Sequence, residues 1–168
     1  AVSMGRLRSA LRAHTLEFDH PATVLDRLDR TATHFEPGTL ATISYTIIDP
    51  TRTHATIALA GHPPPMLAQP GHPTELPTLP VRTPIGFPTP TPCPQTTLHL
   101  PPGALLCYYT DGLVERRNST LDHGLHHLRS ILTPEDPETV CVRVMATLIG
   151  TQPARDDIAL LIIRRDPE

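Results

Sequence analysis

The sequence contains no lysine: all 14 of its basic residues are arginine. Codon usage in a GC-rich genome accounts for that bias without invoking chemistry. There is no run of 18 apolar residues, which excludes a conventional membrane-spanning helix, and no signal-peptide pattern. Cysteine is scarce and scattered. Cys93, Cys107 and Cys141 form no CxxC and exclude a disulfide framework. Cys107 and Cys141 lie in apolar runs and read as small core residues. A formal net charge of −3 points away from nucleic acid and from an anionic membrane surface. What remains is a chain of 168 residues, 39% hydrophobic, enough for one soluble domain spanning residues 1–168 with a core of its own. A reducing cytoplasm fits this composition. The chain does not open on methionine, and Met4, Leu7 and Leu11 already show helical spacing with no capping residue before them. It is therefore expected to be the C-terminal portion of a longer protein.

The first elements follow from periodicity. Residues from Ser3 to His14 read as an amphipathic helix with Met4, Leu7, Ala10 and Leu11 inward, and Arg6, Arg8 and Arg12 on its solvated face. A second helix opens near Pro21, a residue suited to the first helical turn, and turns Val24, Leu25, Leu28 and Ala32 inward. From Thr39 to Ile48 the pattern alternates and is β-branched, as a strand requires. Asp49-Pro50-Thr51-Arg52 is turn chemistry, and His54 to Ala60 is the returning strand. His62 follows at its end, facing a site or simply structural. Twelve of the 21 prolines fall between Pro63 and Pro94. They rule out a long helix or central strand there. The segment reads as an ordered surface loop, with Met66–Ala68 a short edge strand and Pro84 to Phe87 an anchor, or as a proline-rich ligand for a partner.

Thr96 to Leu100 is a further strand, and Pro101-Pro102-Gly103 turns the chain into Leu105 to Tyr109. That uncharged apolar run reads as a strand buried on both faces. Asp111 and Gly112 come directly after it. A carboxylate at the end of a rigid strand, beside a glycine that admits a ligand, is how a hard metal ion is commonly met; Asp-Gly is also the commonest hairpin turn. A helix from Leu121 to Leu132 carries a Leu121, Leu125, Leu128, Leu132 stripe. His123 and His127 stand one turn apart, solvated or a fragment of a transition-metal site. Asp136 caps the last helix, with Pro137 at its first position and Gly150 closing it. Asp156 and Asp157 then feed an apolar strand. Asp111 and Asp156 are 45 residues apart. If their strands are antiparallel neighbours, the acids meet at one sheet edge. Clustered carboxylates repel unless a cation lies between them, so a Mg²⁺ or Mn²⁺ site follows as a hypothesis beside that of two ordinary turns.

The segments AGHPPP (Ala60–Pro65), PIG (Pro84–Gly86), LPPGALLCYYTDGLVER (Leu100–Arg116), HGLHHL (His123–Leu128) and RDDIALLIIR (Arg155–Arg164) occur in the order and spacing of bacterial phosphatases of the stage II sporulation protein E type. In these segments the sequence resembles that branch of the metal-dependent, protein phosphatase 2C type serine/threonine phosphatases. The resemblance implies an α+β fold, a layered sandwich of two antiparallel β-sheets flanked by helices, with its N-terminal strands missing from this chain. It implies hydrolysis of phosphoserine or phosphothreonine by a water activated between two Mn²⁺ or Mg²⁺ ions. The expected substrate is a phosphorylated regulator of the anti-anti-sigma type. By the same resemblance Asp111, with Gly112 beside it, and Asp156 are metal ligands, and Asp157 is the polar residue next to the latter; His62 is a weaker candidate near the site, from its place at a strand end alone.

The sequence also departs from that pattern. The family's early metal-binding aspartate and its Asp-x-x-Gly-x-Gly-like segment have no counterpart here, and Asp19, Asp26 and Asp29 do not fit their place. The chain is thus expected to carry half of a ligand set, to turn over little, and to self-associate through unpaired sheet edges. The competing readings are a catalytically degenerate phosphatase-fold module that binds a signalling partner, and a structural domain whose carboxylates are accidental.

Overall fold

The structure is a computed structural model that describes residues 2–115, 120–150 and 157–167. Two helices come first, α1 (Val2–Thr15) and α2 (Pro21–Phe35). Seven strands follow in the order β1 (Ile43–Ile48), β2 (His54–Ala60), β3 (Met66–Ala68), β4 (Val81–Arg82), β5 (Gln95–His99), β6 (Leu105–Tyr109) and β7 (Leu160–Arg164). Between β6 and β7 lie α3 (Asp111–Val114), α4 (Leu121–Ile131) and α5 (Pro137–Leu148). The class is mixed α+β, with two sheets and helices packed on each. The chain divides into two compact units, residues 1–62 with 79–99 and residues 63–78 with 100–168. Among the described residues no helix is long and apolar enough to cross a membrane.

The first unit is built on β2. Its register with β1 is antiparallel from Ile43 opposite Ala60 to Ile48 opposite Ala55. It pairs antiparallel with β5 as well, and parallel with β4 over two residues. That pairing and an isolated parallel bridge between Ile43 and Gly61 depart from the expected antiparallel sheets. The β1–β2 turn is held by Asp49, whose carboxylate accepts from the Thr53 N–H (2.7 Å), the His54 N–H (3.0 Å) and the Thr51 hydroxyl (2.6 Å). Those bonds, the Thr51 hydroxyl first, hold its carboxyl well below the usual carboxylate range. Helix α2 buries Val24, Leu25, Leu28 and Ala32, as its spacing requires. Helix α1 buries Leu7 fully and Leu11 in part, but Met4 is 59% exposed and does not join the core. Residues 39–42, expected to open the first strand, are not in β1; Ala41 forms only an isolated bridge to Ile85.

A buried ion-pair cluster explains why the proline-rich segment is ordered. The Arg82 side chain is 3% exposed. Its Nη1 donates to Asp26 Oδ1 at 2.7 Å, and its Nη2 to Asp29 Oδ2. The same carboxylates accept from the Gly86 N–H (2.7 Å) and the Cys93 N–H (3.0 Å). Two acids one helical turn apart on α2 thus tie β4, the Pro84-Ile85-Gly86 corner and the Cys93 loop to one helix. Gly86 lies at φ +84 with the Thr39 carbonyl 2.0 Å from where a Cβ would stand, so only glycine fits the corner. Asp26 and Asp29, unsuited to metal by sequence, are engaged in this cluster instead. Removing Arg82 would leave two part-buried carboxylates side by side without their cation.

The second unit is built on β6. The sheet order is β3-β6-β7, antiparallel throughout. Leu105, Leu106, Cys107 and Tyr109 are buried, so the apolar run is the central strand it reads as. Burial pushes the Cys107 thiol up to about 12, which leaves it an inert core residue. Leu128 of α4 and Val140 and Val144 of α5 pack into the same core, whereas Leu121 is 49% exposed and drops out of its expected stripe. Asp136 caps α5 by accepting from the Thr139 N–H at 2.9 Å, and Gly150 ends it at φ +56.

Strands β1 and β7 each have one strand neighbour among the described residues, and Leu161 of β7 is 57% exposed. Unpaired edges with apolar side chains template pairing with another chain. The purified chain is expected to self-associate with rising concentration, and Leu161→Lys to reduce that association. A monomer at every concentration by light scattering would reject the expectation.

Candidate functional site

The register of β6 with β7 decides where the acids go. Leu105 faces Arg164, and Tyr109 faces Leu160. The C-terminal end of β6 therefore lies beside the N-terminal end of β7. Thr110-Asp111 leaves one strand where Asp157-Ile158-Ala159 enters the other. The supposition that these strands are antiparallel neighbours holds, and the segments carrying Asp111 and Asp157 share one sheet rim. Asp156 lies outside the described residues. His62, half-buried just past β2, belongs to the first unit rather than to the unit that carries Asp111.

Asp111 and Gly112 do not form a hairpin turn. Asp111 is the first residue of α3, exposed, and its Oδ1 accepts from the Gly112 N–H at 2.9 Å. An acidic first residue suits the positive end of the helix. Asp157 is also exposed. Carboxylate oxygen is the donor type that a hard cation such as Mg²⁺ or Mn²⁺ takes. Both acids fit such an ion as part of a donor set. Among the described residues no three His, Cys, Asp or Glu side chains come together as a metal-binding group. His123 and His127 face one another at 6.4 Å between ring centroids on α4.

Thr110 went unnoticed in the sequence. Its N–H donates to the Ala159 carbonyl (3.1 Å), its Oγ1 accepts from the Ala159 N–H (2.9 Å), and its hydroxyl donates to the Asp157 carbonyl (3.1 Å). A polar hydroxylated residue between a buried strand and an acid was the only signal available, and it is a weak one.

The short helix is held from behind by α4. A Cβ placed on Gly124 would stand 1.9 Å from the Val114 carbonyl oxygen and 3.1 Å from the Val114 Cα. The glycine of HGLHHL thus lets α4 approach the end of α3 closer than any other residue could, and α3 carries Asp111. Thr120 caps α4 by accepting from the His123 N–H at 3.3 Å.

The sequence matches the family described as Stage II sporulation protein E (SpoIIE) over residues 1–166. No curated protein matches. Among solved structures, the RsbU and RsbW domains of Rv1364c from Mycobacterium tuberculosis are similar with a TM-score of 0.87 at 26% identity, covering 100% of this chain and 48% of that one. The SiaA-PP2C domain of Pseudomonas aeruginosa is similar with a TM-score of 0.80 at 20% identity, covering 99% and 69%. RsbX in complex with magnesium is similar with a TM-score of 0.69 at 16% identity, covering 96% and 72%. The chain thus spans about half the length of the first of these, 48%. The two likenesses at 20% identity or less speak for the fold alone.

Gly124→Ala tests the support behind the site. Helix propensity alone favours alanine by about 1 kcal/mol, whereas overpacking against a backbone carbonyl costs about 1–3 kcal/mol. Because the clash is with backbone, the upper end applies and the variant is expected to be less stable by about 1–2 kcal/mol. A urea midpoint that rises instead would show that α3 and α4 are not in this contact.

Proposed function

We propose, from the premise that this chain belongs to the stage II sporulation protein E family, that it is part of a metal-dependent protein serine/threonine phosphatase domain. Its substrate on this reading is a phosphorylated regulatory protein of the anti-anti-sigma type. The observation that carries the proposal is the β6–β7 register, which brings the segments bearing Asp111 and Asp157 to one rim. Two stretches distant in sequence, each ending or beginning in carboxylate, converge where the ladder stops. Asp111 and Asp156 would hold Mn²⁺ or Mg²⁺, with Asp157 beside them. The magnesium in the RsbX structure supports that choice of metal. A bound divalent ion in such a site makes hydroxide available near neutral pH and screens phosphoryl charge. The chain's own part is to hold the carboxylates: Asp111 on a helix braced by Gly124, and Asp157 at a strand entrance tied to Thr110.

Asp111→Asn, made in the natural full-length protein, is expected to lower Mn²⁺-dependent hydrolysis of p-nitrophenyl phosphate by about a hundredfold or more, since a bound metal supplies several kcal/mol of charge stabilisation. Unchanged hydrolysis would remove Asp111 from the site. The early ligands that the family resemblance calls for have no counterpart in these 168 residues. Titration calorimetry on the chain should therefore show only weak Mn²⁺ binding, and submicromolar affinity would mean that the ligands lie elsewhere.

A further inference from the structure

We propose that Thr110 is a positioning residue that locks the Asp111 segment to the stretch entering β7 at Asp157, so that the two strand ends meet a cation as one unit. The inference rests on the metal reading above and adds to it a residue that touches no metal. Its basis is the way the ladder ends. Tyr109 opposite Leu160 is the last regular pair. One step further, Thr110 and Ala159 would ordinarily exchange two backbone hydrogen bonds. The first is made, from the Thr110 N–H to the Ala159 carbonyl at 3.1 Å. The second is not made in its usual form: the chain turns into α3 at Thr110, and its carbonyl accepts from the Leu113 N–H at 3.0 Å. The chain has to turn into the helix and stay in the sheet at the same residue.

The side chain resolves that conflict. Thr110 Oγ1 replaces the lost carbonyl as acceptor for the Ala159 N–H at 2.9 Å. Its hydrogen is then free to donate, and it does so to the Asp157 carbonyl at 3.1 Å. One hydroxyl therefore accepts from one residue and donates to another, two positions apart on the same strand entrance. Only a hydroxyl on a short side chain accepts and donates at this place. Thr110 is the N-cap of α3, yet its side chain makes no cap hydrogen bond to the helix. The group that would normally cap α3 is turned across to β7 instead. The backbone of Asp157 is thereby tied to the residue preceding Asp111.

Thr110→Val keeps the shape and removes both side-chain bonds, while Thr110→Ser keeps the bonds. Hydrogen exchange and Mn²⁺-induced broadening of amide NMR signals would be measured on the whole chain in millimolar Mn²⁺. In Thr110→Val the Ala159 amide is expected to exchange about tenfold faster, as loss of one hydrogen bond predicts, and Thr110→Ser is expected to restore it. The unsubstituted chain should show Gly112 and Ile158 broadening together at one Mn²⁺ concentration. Thr110→Val should separate them, with Gly112 and Ile158 responding at different concentrations. Unchanged Ala159 exchange overturns the clamp. Faster exchange with Gly112 and Ile158 still broadening together overturns the positioning role and leaves a merely structural one. If Mn²⁺ broadens neither segment of the unsubstituted chain, the metal reading itself fails, and Thr110 has no metal site to serve.

Discussion

The antiparallel pairing of β6 with β7 is the constraint on which the candidate site depends. Five apolar residues on one strand and an apolar run on the other are driven together by burial, and the ladder then fixes their register. Nothing about Asp111 or Asp157 needs to attract the other. The core carries the two segments there through the burial of residues such as Leu105, Cys107 and Tyr109. A site built this way is rigid on its strand side, which suits a group that must present oxygen at a fixed place.

Behind that rim, support comes from short-range fits rather than from long stretches of surface. Gly124 admits the Val114 carbonyl, so α4 packs directly on the end of α3. Thr110 serves two elements at once, its carbonyl in the helix and its side chain in the sheet. These are places where one atom more or less changes the backbone path. They coincide with the motifs YTDG and HGLHHL, which gives those motifs a mechanical meaning beside any chemical one.

The first unit solves a different problem. Its proline-rich segment lacks N–H groups for a regular sheet, so its order has to come from elsewhere. Arg82 supplies it, with Asp26 and Asp29 on one face of α2 and the Gly86 and Cys93 amides completing the carboxylates' partners. The guanidinium is the one cation between two carboxylates, so it is the loss of Arg82 that would leave charge uncompensated there. The result is an ordered stretch from Arg82 to Cys93 made from residues that by composition alone would suggest a loose one.

Much of the architecture could be read from residue order because it depends on periodicity. The inward stripe of α2, the return of β2 after Asp49, the central character of Leu105–Tyr109 and the capping of α5 by Asp136 are all local patterns that packing merely completes. The proximity of Asp111 to the strand led by Asp157 could be posed from the sequence only as a supposition, since register between strands far apart along the chain follows from the whole core. Met4 and Leu121 failed for the same reason: helical spacing says which residues share a face, and tertiary packing says how far that face is covered. The Arg82 cluster and the Thr110 clamp were invisible in one dimension. Each joins residues that no local pattern links, and each exists because a buried charge or a displaced backbone acceptor must find a partner somewhere in the folded chain.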